Sequence, residues 1–293
     1  MGLSIGLNFP YDVDSPLSRQ EISKNIDYYK TAYQTTAAEQ ESAEDPRYLE
    51  IAREAAQEMQ IEGRVRHFVT TYGLADKKVL EIGSGRGYLQ DIVNDYTGLD
   101  ISPSVRRFYH KNFMVGSANS MPFENSTFDG GWSIWVLEHV PNPEAALAEI
   151  RRVLKPGGVF YLFPAWTCNS WAADGYGVRP YSDFRLGGRL VKASVPIRES
   201  KLYKGAHRGP VRLMRYASYF AFRGPTRLRY IRLEPNYQKY WTNDSDAVNS
   251  IDRYEAQLWF VSRGDECLNC RGVVQSIPVP AGADPPLVIR VRK

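Results

Sequence analysis

The chain has 293 residues but three cysteines, four histidines and no long apolar run. Three cysteines give no disulfide framework. The longest apolar run, Gly157 to Trp166, is ten residues, whereas a membrane-spanning helix needs about 18 or more. Met1 to Pro10 has no basic stretch and no small-residue cleavage site, so a secretory signal is not expected. Gly2 follows Met1, but position 6 is Gly6 rather than Ser or Thr, so the myristoylation pattern fails. These absences lead to the expectation of a cytoplasmic protein. What is present is ordinary for a globular chain: 43% hydrophobic and 24% charged residues, which sets aside disordered, collagen-like and coiled-coil readings. At about 150 residues per domain, one large domain or two modest ones are expected.

Net charge is small overall, +4, but not locally. Residues 178–240 hold 15 Lys+Arg against 3 Asp+Glu, a net of +12, which leaves −8 for the rest of a chain whose total is +4. Such asymmetry points to an anionic partner, or to a solvated basic surface balanced by an acidic face elsewhere.

Residues 1–44 are polar, with Tyr28, Tyr29 and Tyr33 among them. The spacing predicts one long helix from Asp45 to about Tyr72, with Asp45 as N-cap, Pro46 at the first position and Gly73 closing it. Lys78 to Ile82 then reads as a strand ending in a glycine cluster. Beyond it strands (Tyr96–Asp100, Phe113–Gly116, Gly130–Ile134, Val159–Phe163) alternate with helices (Pro103–Lys111, capped by Ser102, and Pro143–Leu154). Lys155-Pro156-Gly157-Gly158 reads as the turn that breaks the second helix. The alternation predicts a parallel sheet covered on both faces, with ligands bound beyond the carboxyl ends of its strands. Residues 167–248 break the pattern. Within them Pro210–Arg223 reads as a helix with Arg212 and Arg215 on one face, and 227–233 as a strand. Ser250–Arg263 reads as a helix stopped by Gly264, followed by a strand pair, Glu266–Val274 and Leu287–Val291.

The chemistry centres on Val79-Leu80-Glu81-Ile82-Gly83-Ser84-Gly85-Arg86-Gly87-Tyr88-Leu89. Glycines after a strand permit a tight turn and close approach of a ligand. The spacing is G-x-G-x-G rather than the dinucleotide G-x-G-x-x-G. Asp100 ends the next strand, where a carboxylate suits ribose hydroxyls and not a phosphate. The ligand expected is therefore a nucleoside without a phosphate at the loop, with Glu81 a second acid for an amino-acid end.

These residues resemble the class I S-adenosylmethionine-dependent methyltransferases, specifically the type-11 methyltransferase domain. The resemblance runs from Lys78 to Trp166. It continues through Gly98-Leu99-Asp100-Ile101-Ser102, Met121-Pro122-Phe123, Thr127-Phe128-Asp129, Val136-Leu137-Glu138-His139-Val140-Pro141 and the segment Ala146 to Gly158. It implies an α/β fold: a Rossmann-like, doubly wound, seven-stranded sheet, mostly parallel with an antiparallel last strand, plus N-terminal helices and an inserted cap. It implies S-adenosyl-L-methionine as cofactor, lined by Gly83, Gly85 and Gly87, with Glu81 beneath its methionine part, Asp100 on the ribose and Ile101 packed on adenine. Ser117 and Ala118 match the family's adenine contact, although the family often has Asp where this chain has Ser117.

Four regions follow: an N-terminal helical cap (1–75), the cofactor-binding core (76–166), a basic aromatic insert (167–248), and a final helix with a strand hairpin (249–293). His139, beside Glu138, is the candidate general base, needed where the acceptor must lose a proton; the alternative is that the Glu-His pair is a structural feature of its loop. Cys267-Leu268-Asn269-Cys270 lacks further zinc ligands nearby, and residues three apart on a strand point to opposite faces, so the two thiols are expected to be ordinary strand residues. No metal site is expected. The insert's aromatics suit a small hydrophobic or glycosidic acceptor. Its arginines suit a lipid-linked or phosphorylated one, with residues 208–223 lying on a membrane surface, and RNA ranks third. A protein that binds the cofactor without transferring its methyl group, using the insert for docking, is the alternative from a different class.

Overall fold

A computed structural model describes residues 17, 19–31, 48–169, 171–236, 245–279 and 284–293. Tyr33, Asp45, Pro46, Tyr237, Tyr240 and Trp241 lie outside the described residues, as does the side chain of Leu49. Its centre is a seven-stranded sheet of β1 (Lys78–Ile82), β2 (Asp95–Asp100), β3 (Asn112–Val115), β4 (Phe128–Ile134), β5 (Leu154–Phe163), β8 (Glu266–Cys267) and β9 (Leu287–Arg290). The order is β3-β2-β1-β4-β5-β9-β8. β1 to β5 pair in parallel, and β9, the last strand in the chain, runs antiparallel to both neighbours. This is the doubly wound fold expected. The order reverses between β1 and β4, so the switch point lies at the carboxyl ends of β1, β2 and β4.

Both faces of the sheet are covered. Alternate residues of each strand point to opposite faces, and the packing follows that division. Leu80 and Ile82 join α4 (Pro143–Val153) through Ala146, Leu147, Ile150 and Val153, and α7 (Arg253–Val261) through Ala256 and Phe260. Val79, Tyr96 and Trp132 face the other way, onto Ile61, Val65, Phe68 and Val69 of α3 (Ile61–Thr71). Each fully buried aliphatic side chain here contributes about 1.5–3 kcal/mol.

Several local expectations are corrected. The long N-terminal helix is two, α2 (Tyr48–Glu58) and α3. Gln60 between them takes a left-handed backbone, φ 51°, and Arg64 Nε donates to Met59 O at 2.7 Å, satisfying a carbonyl at the break. After β2 the chain forms a 3-10 segment, Pro103–Phe108, and Ser102 makes no side-chain cap. Instead its hydroxyl lies 3.1 Å from Lys30 O at the end of α1 (Arg19–Thr31). Residues 155–158 are not a separate turn: β5 starts at Leu154, and its register with β4 shifts between Phe128 and Gly130.

The insert holds more helix than expected. α5 (Leu186–Glu199) and α6 (Lys201–Phe222) are separated by Ser200, whose side chain accepts from Tyr203 N. Proline is favoured at the first helical position, but Pro210 lies inside α6 and Pro196 inside α5. Arg212 and Arg215 do share a face of α6, and that face is buried. Arg212 forms a fork with Asp252 (2.6 and 3.0 Å) and Arg215 with Glu255 (2.6 and 2.8 Å). Two of the insert's positive charges are thus matched internally by the acids at the start of α7. The insert is also tied to the last region by a two-stranded sheet, β6 (Tyr230–Arg232) against β7 (Asn249–Ile251).

At the C-terminal end, Asp252 caps α7 by accepting from Tyr254 N, and Gly264 (φ +85°) ends the helical region. The expected strand 266–274 is two residues long. Turn residues Leu268 and Asn269 follow it at once, so Cys270 turns back and is disulfide-bonded to Cys267, with Cα atoms 5.5 Å apart. The expectation of two separate strand thiols is corrected: it assumed that the strand continued through both. Cys168 is a buried thiol outside this bridge, with its Sγ 3.1 Å from Ala165 O.

Candidate active site

The glycine loop is built by backbone hydrogen bonds onto the end of β2. Gly83 N and Ser84 N donate to Leu99 O (2.8 and 3.1 Å), and Gly85 N donates to Asp100 Oδ2 at 2.8 Å. Asp100 Oδ1 accepts from Ser102 N at 2.9 Å. Asp100 is thus pinned at the switch point. Burial pushes its carboxyl up, while the N–H bonds of Ser102, Gly85 and Ile101 pull the other way. A carboxylate has about four acceptor positions, so both oxygens can still accept from a ligand hydroxyl.

All three glycines have positive φ: +68° at Gly83, +49° at Gly85 and +69° at Gly87. A Cβ at Gly83 would lie 2.1 Å from Val136 Cγ2, and one at Gly87 would lie 2.8 Å from Tyr109 Cε1. Two of the glycines therefore admit the chain's own side chains as well as a turn. Gly83 borders the cavity described next, and Gly85 and Gly87 do not. Tyr109 went unrecognised in the sequence because it falls in a stretch that reads as a surface helix. Its hydroxyl lies 2.7 Å from Ser84 Oγ and 2.9 Å from Gly85 O, locking the loop from behind.

A cavity of about 600 Å³ opens at this switch point, within the roughly 300–1,000 Å³ of small-molecule sites. Gly83, Asp100, Ile101, Ser117 and Ala118 line one end. Ser117 Oγ accepts from Asn119 N at 3.2 Å, which orients it in a local turn. Glu81 is not on the wall. It points to the α3 side of the sheet, where Tyr96 Oη donates to its Oε2 at 2.5 Å. Burial raises its pKa to about 7 against the opposing hydrogen bonds of Tyr96 and Trp132.

His139 follows β4 in a short 3-10 turn and lines the cavity. Its Nδ1 lies 3.4 Å from Asp246 O and 3.8 Å from Asp246 Oδ2, and its Nε2 lies 3.8 Å from Glu138 Oε1. Glu138 is buried and accepts from Ala165 N at 2.9 Å. Tyr29 of α1 donates to Asp246 Oδ2 at 2.7 Å, and its ring lies 5.3 Å from the His139 ring. The N-terminal region and the insert therefore meet over His139, an arrangement that sequence could not reveal across the 217 residues between Tyr29 and Asp246. Lys204 and Arg208 of α6, with Met59 and Trp166, border the cavity too. Among the described residues no group of three or more His, Cys, Asp or Glu is arranged to hold a metal ion.

Comparison with known proteins decides the family of the core. A methyltransferase domain family matches residues 80–162. These residues form a methyltransferase domain. The chain is 32% identical over 110 residues to the sterol 4-C-methyltransferase strm-1 of Caenorhabditis elegans, covering 32% of this chain and 33% of that protein. It is 34% identical over 121 residues to the phthiotriol/phenolphthiotriol dimycocerosates methyltransferase of Mycobacterium leprae, covering 36% of this chain and 45% of that protein. The chain thus spans less than half the length of these curated relatives. Among solved structures, the S-adenosylmethionine-bound amino pentose methyltransferase CalS10 from Micromonospora echinaspora matches at 20% identity and a TM-score of 0.35, covering 40% of this chain and 57% of that one. The sequence resemblance implies S-adenosyl-L-methionine as the cofactor of this domain. The residues present fit it: Asp100 keeps acceptor positions for ribose hydroxyls at one end of a cavity whose lining carries Asp100, Glu138, Asp246 and Asp284 against Lys204 and Arg208.

Proposed function

We propose that this chain transfers a methyl group from S-adenosyl-L-methionine to an oxygen, nitrogen or carbon of a small-molecule or lipid acceptor. The observation that carries this reading is one continuous cavity. It joins Gly83, Asp100 and Ser117 at the strand ends to His139 and Tyr29 under α1 and the insert. When bound, the cofactor supplies an activated methyl group on a sulfonium, so alignment with the acceptor provides much of the rate.

The residues divide the work by position. Asp100 accepts the ribose hydroxyls and Ile101 packs on the adenine. Ser117 and Ala118 edge the base. Gly83, whose missing side chain makes room for Val136, brings its backbone to the cavity wall. His139, oriented by Asp246 and Glu138, takes the proton of an acceptor hydroxyl or carbon acid. Tyr29, Met59 and Trp166 exclude water and hold an apolar acceptor. Sterol and phthiotriol substrates in the names of two relatives support an apolar, lipid-class acceptor. RNA ranks lower, because the Arg212 and Arg215 guanidiniums are held by Asp252 and Glu255 and do not face outward.

The test is transfer of a labelled methyl group into a host extract split into lipid, aqueous, nucleic-acid and protein fractions. Label in the lipid or aqueous small-molecule fraction, absent with Asp100→Ala, is expected. Label in nucleic acid, or none anywhere from protein that binds the cofactor, contradicts the reading.

A further inference from the structure

α6 is amphipathic in the inverted sense. A surface helix of a water-soluble domain turns its apolar stripe to the core and its charges to solvent. In α6 four of the five Lys and Arg residues, Lys204, Arg208, Arg212 and Arg215, recur at steps of four, four and three and point inward, while Lys201 at its first position is exposed. The first two border the cavity and the last two are buried in ion pairs. The outward stripe is uncharged: Leu202, Ala206, Pro210, Leu213, Ala217 and Phe220 are all exposed. Leu202 is 87% exposed, and Phe222 at the helix end is 86% exposed. α5 likewise exposes apolar residues at helical spacing, Leu186, Leu190, Ala193 and Ile197, although its Arg189 is exposed beside them. Two consecutive helices thus present large aliphatic and aromatic side chains to solvent, more than scattered surface apolar residues account for.

The surroundings of this face are basic. Arg185, Arg189, Lys201, Arg223 and Arg227 are exposed, and between Arg185 and Leu233 the one acidic residue is Glu199. A second copy of the chain would set one basic rim against another, at an electrostatic cost. An anionic surface has the complementary charge. No described helix is long and apolar enough to cross a membrane, so the match is to a helix pair lying in the interface plane.

We propose that α5 and α6 dock this protein on the surface of an anionic lipid bilayer, with the outward stripe from Leu186 to Phe222 sunk among the headgroups and the basic rim on the lipid charges. This revises the sequence expectation for residues 208–223. The contact is made by apolar residues, and the inward arginines hold the helix in place. It also sets the cavity, bordered by Lys204 and Arg208 on the inner side of the same helix, next to the bilayer. That last consequence rests on the lipid-acceptor reading above, whereas the docking itself does not.

The experiment is flotation of the full chain, without cofactor, with vesicles of phosphatidylcholine alone and of phosphatidylcholine mixed with phosphatidylglycerol. The protein is expected to float with the anionic vesicles and not with the neutral ones. Leu213→Glu/Phe220→Glu should lower that partition by about tenfold or more, and Lys201→Glu/Arg223→Glu should lower it and flatten its salt dependence. Because these side chains are exposed, far-UV circular dichroism and cofactor binding should be unchanged. Leu190→Ser/Leu202→Ser is a second, milder apolar pair with the same expected direction. Failure of the wild type to float, undiminished flotation of both apolar variants, or a dimer that dissociates on Leu213→Glu/Phe220→Glu would overturn the proposal. None of these outcomes bears on methyl transfer to a dispersed acceptor, so the two readings fail separately.

Discussion

Arg215 and Glu255 meet as a two-bond fork, 2.6 and 2.8 Å, between the insert and the last helix of the core, with side chains 9% and 7% exposed. The pair, with Arg212–Asp252, ties α6 to α7, and Lys204 and Arg208 of the same helix border the cavity. Removing one partner strands a buried charge, so Arg215→Ala should cost about 3–5 kcal/mol of stability. Replacing both residues by apolar ones of similar size should recover most of that. Urea unfolding of the two variants checks it.

Gly83 and Gly157 separate two reasons for glycine. Both have positive φ, +68° and +81°, but only at Gly83 would a Cβ collide, with Val136. Gly157→Ala should cost about 1–2 kcal/mol from backbone strain alone. Gly83→Ala should cost more and also abolish cofactor binding. Equal losses in thermal unfolding, with cofactor binding intact in both, would show that Val136 simply moves aside.

Glu81 gives the stability profile a slope. Its folded pKa is raised to about 7 from 4.5 by burial, so between these values the folded state binds more protons than the unfolded one. Stability is therefore greatest below the unfolded value and falls as pH rises toward 7. The fall is about 3 kcal/mol for this group alone. Glu81→Gln should remove that part of the slope, as measured by unfolding at a series of pH values.

His139→Ala should lower turnover by about 10²–10⁴-fold if proton removal limits the reaction, with cofactor affinity unchanged. Asp246→Asn should lower it less and shift the pH–rate profile, because Asp246 positions the imidazole. Unchanged turnover in His139→Ala would leave the histidine a structural part of its loop.

Cysteine accessibility gives a direct count. With Cys267 and Cys270 bridged and Cys168 a thiol outside the bridge, alkylation of the denatured, unreduced chain should modify one cysteine. After reduction it should modify three. Intact-mass measurement distinguishes the two.

The core was legible because its signals are local. β1, β2 and β4 follow from short apolar runs and glycine turns. Asp100 follows from its place at a strand end, and α4 from its periodicity; the structure adds its cap, Asn142, which accepts from Ala145 N. The misreadings have a common physical source. The break at Gln60 carries no Gly or Pro to announce it. Pro210 suggests a helix start but is accommodated inside α6, as Pro196 is inside α5. The arginines of the insert looked like a surface because their partners, Asp252 and Glu255, lie 40 residues away. The bridge between Cys267 and Cys270 depends on a strand ending after two residues. The Tyr29–Asp246–His139 contact joins three distant segments that no pattern connects.

The central claim is that the strand-end pocket around Asp100 is the cofactor site. Calorimetric titration with S-adenosylhomocysteine tests it most directly. The account predicts saturable binding at one site per chain, weakened by about tenfold or more in Asp100→Ala through loss of charge-assisted hydrogen bonds and unchanged in Leu213→Glu/Phe220→Glu. Equal affinity in wild type and Asp100→Ala, or no binding by the wild type, would contradict it.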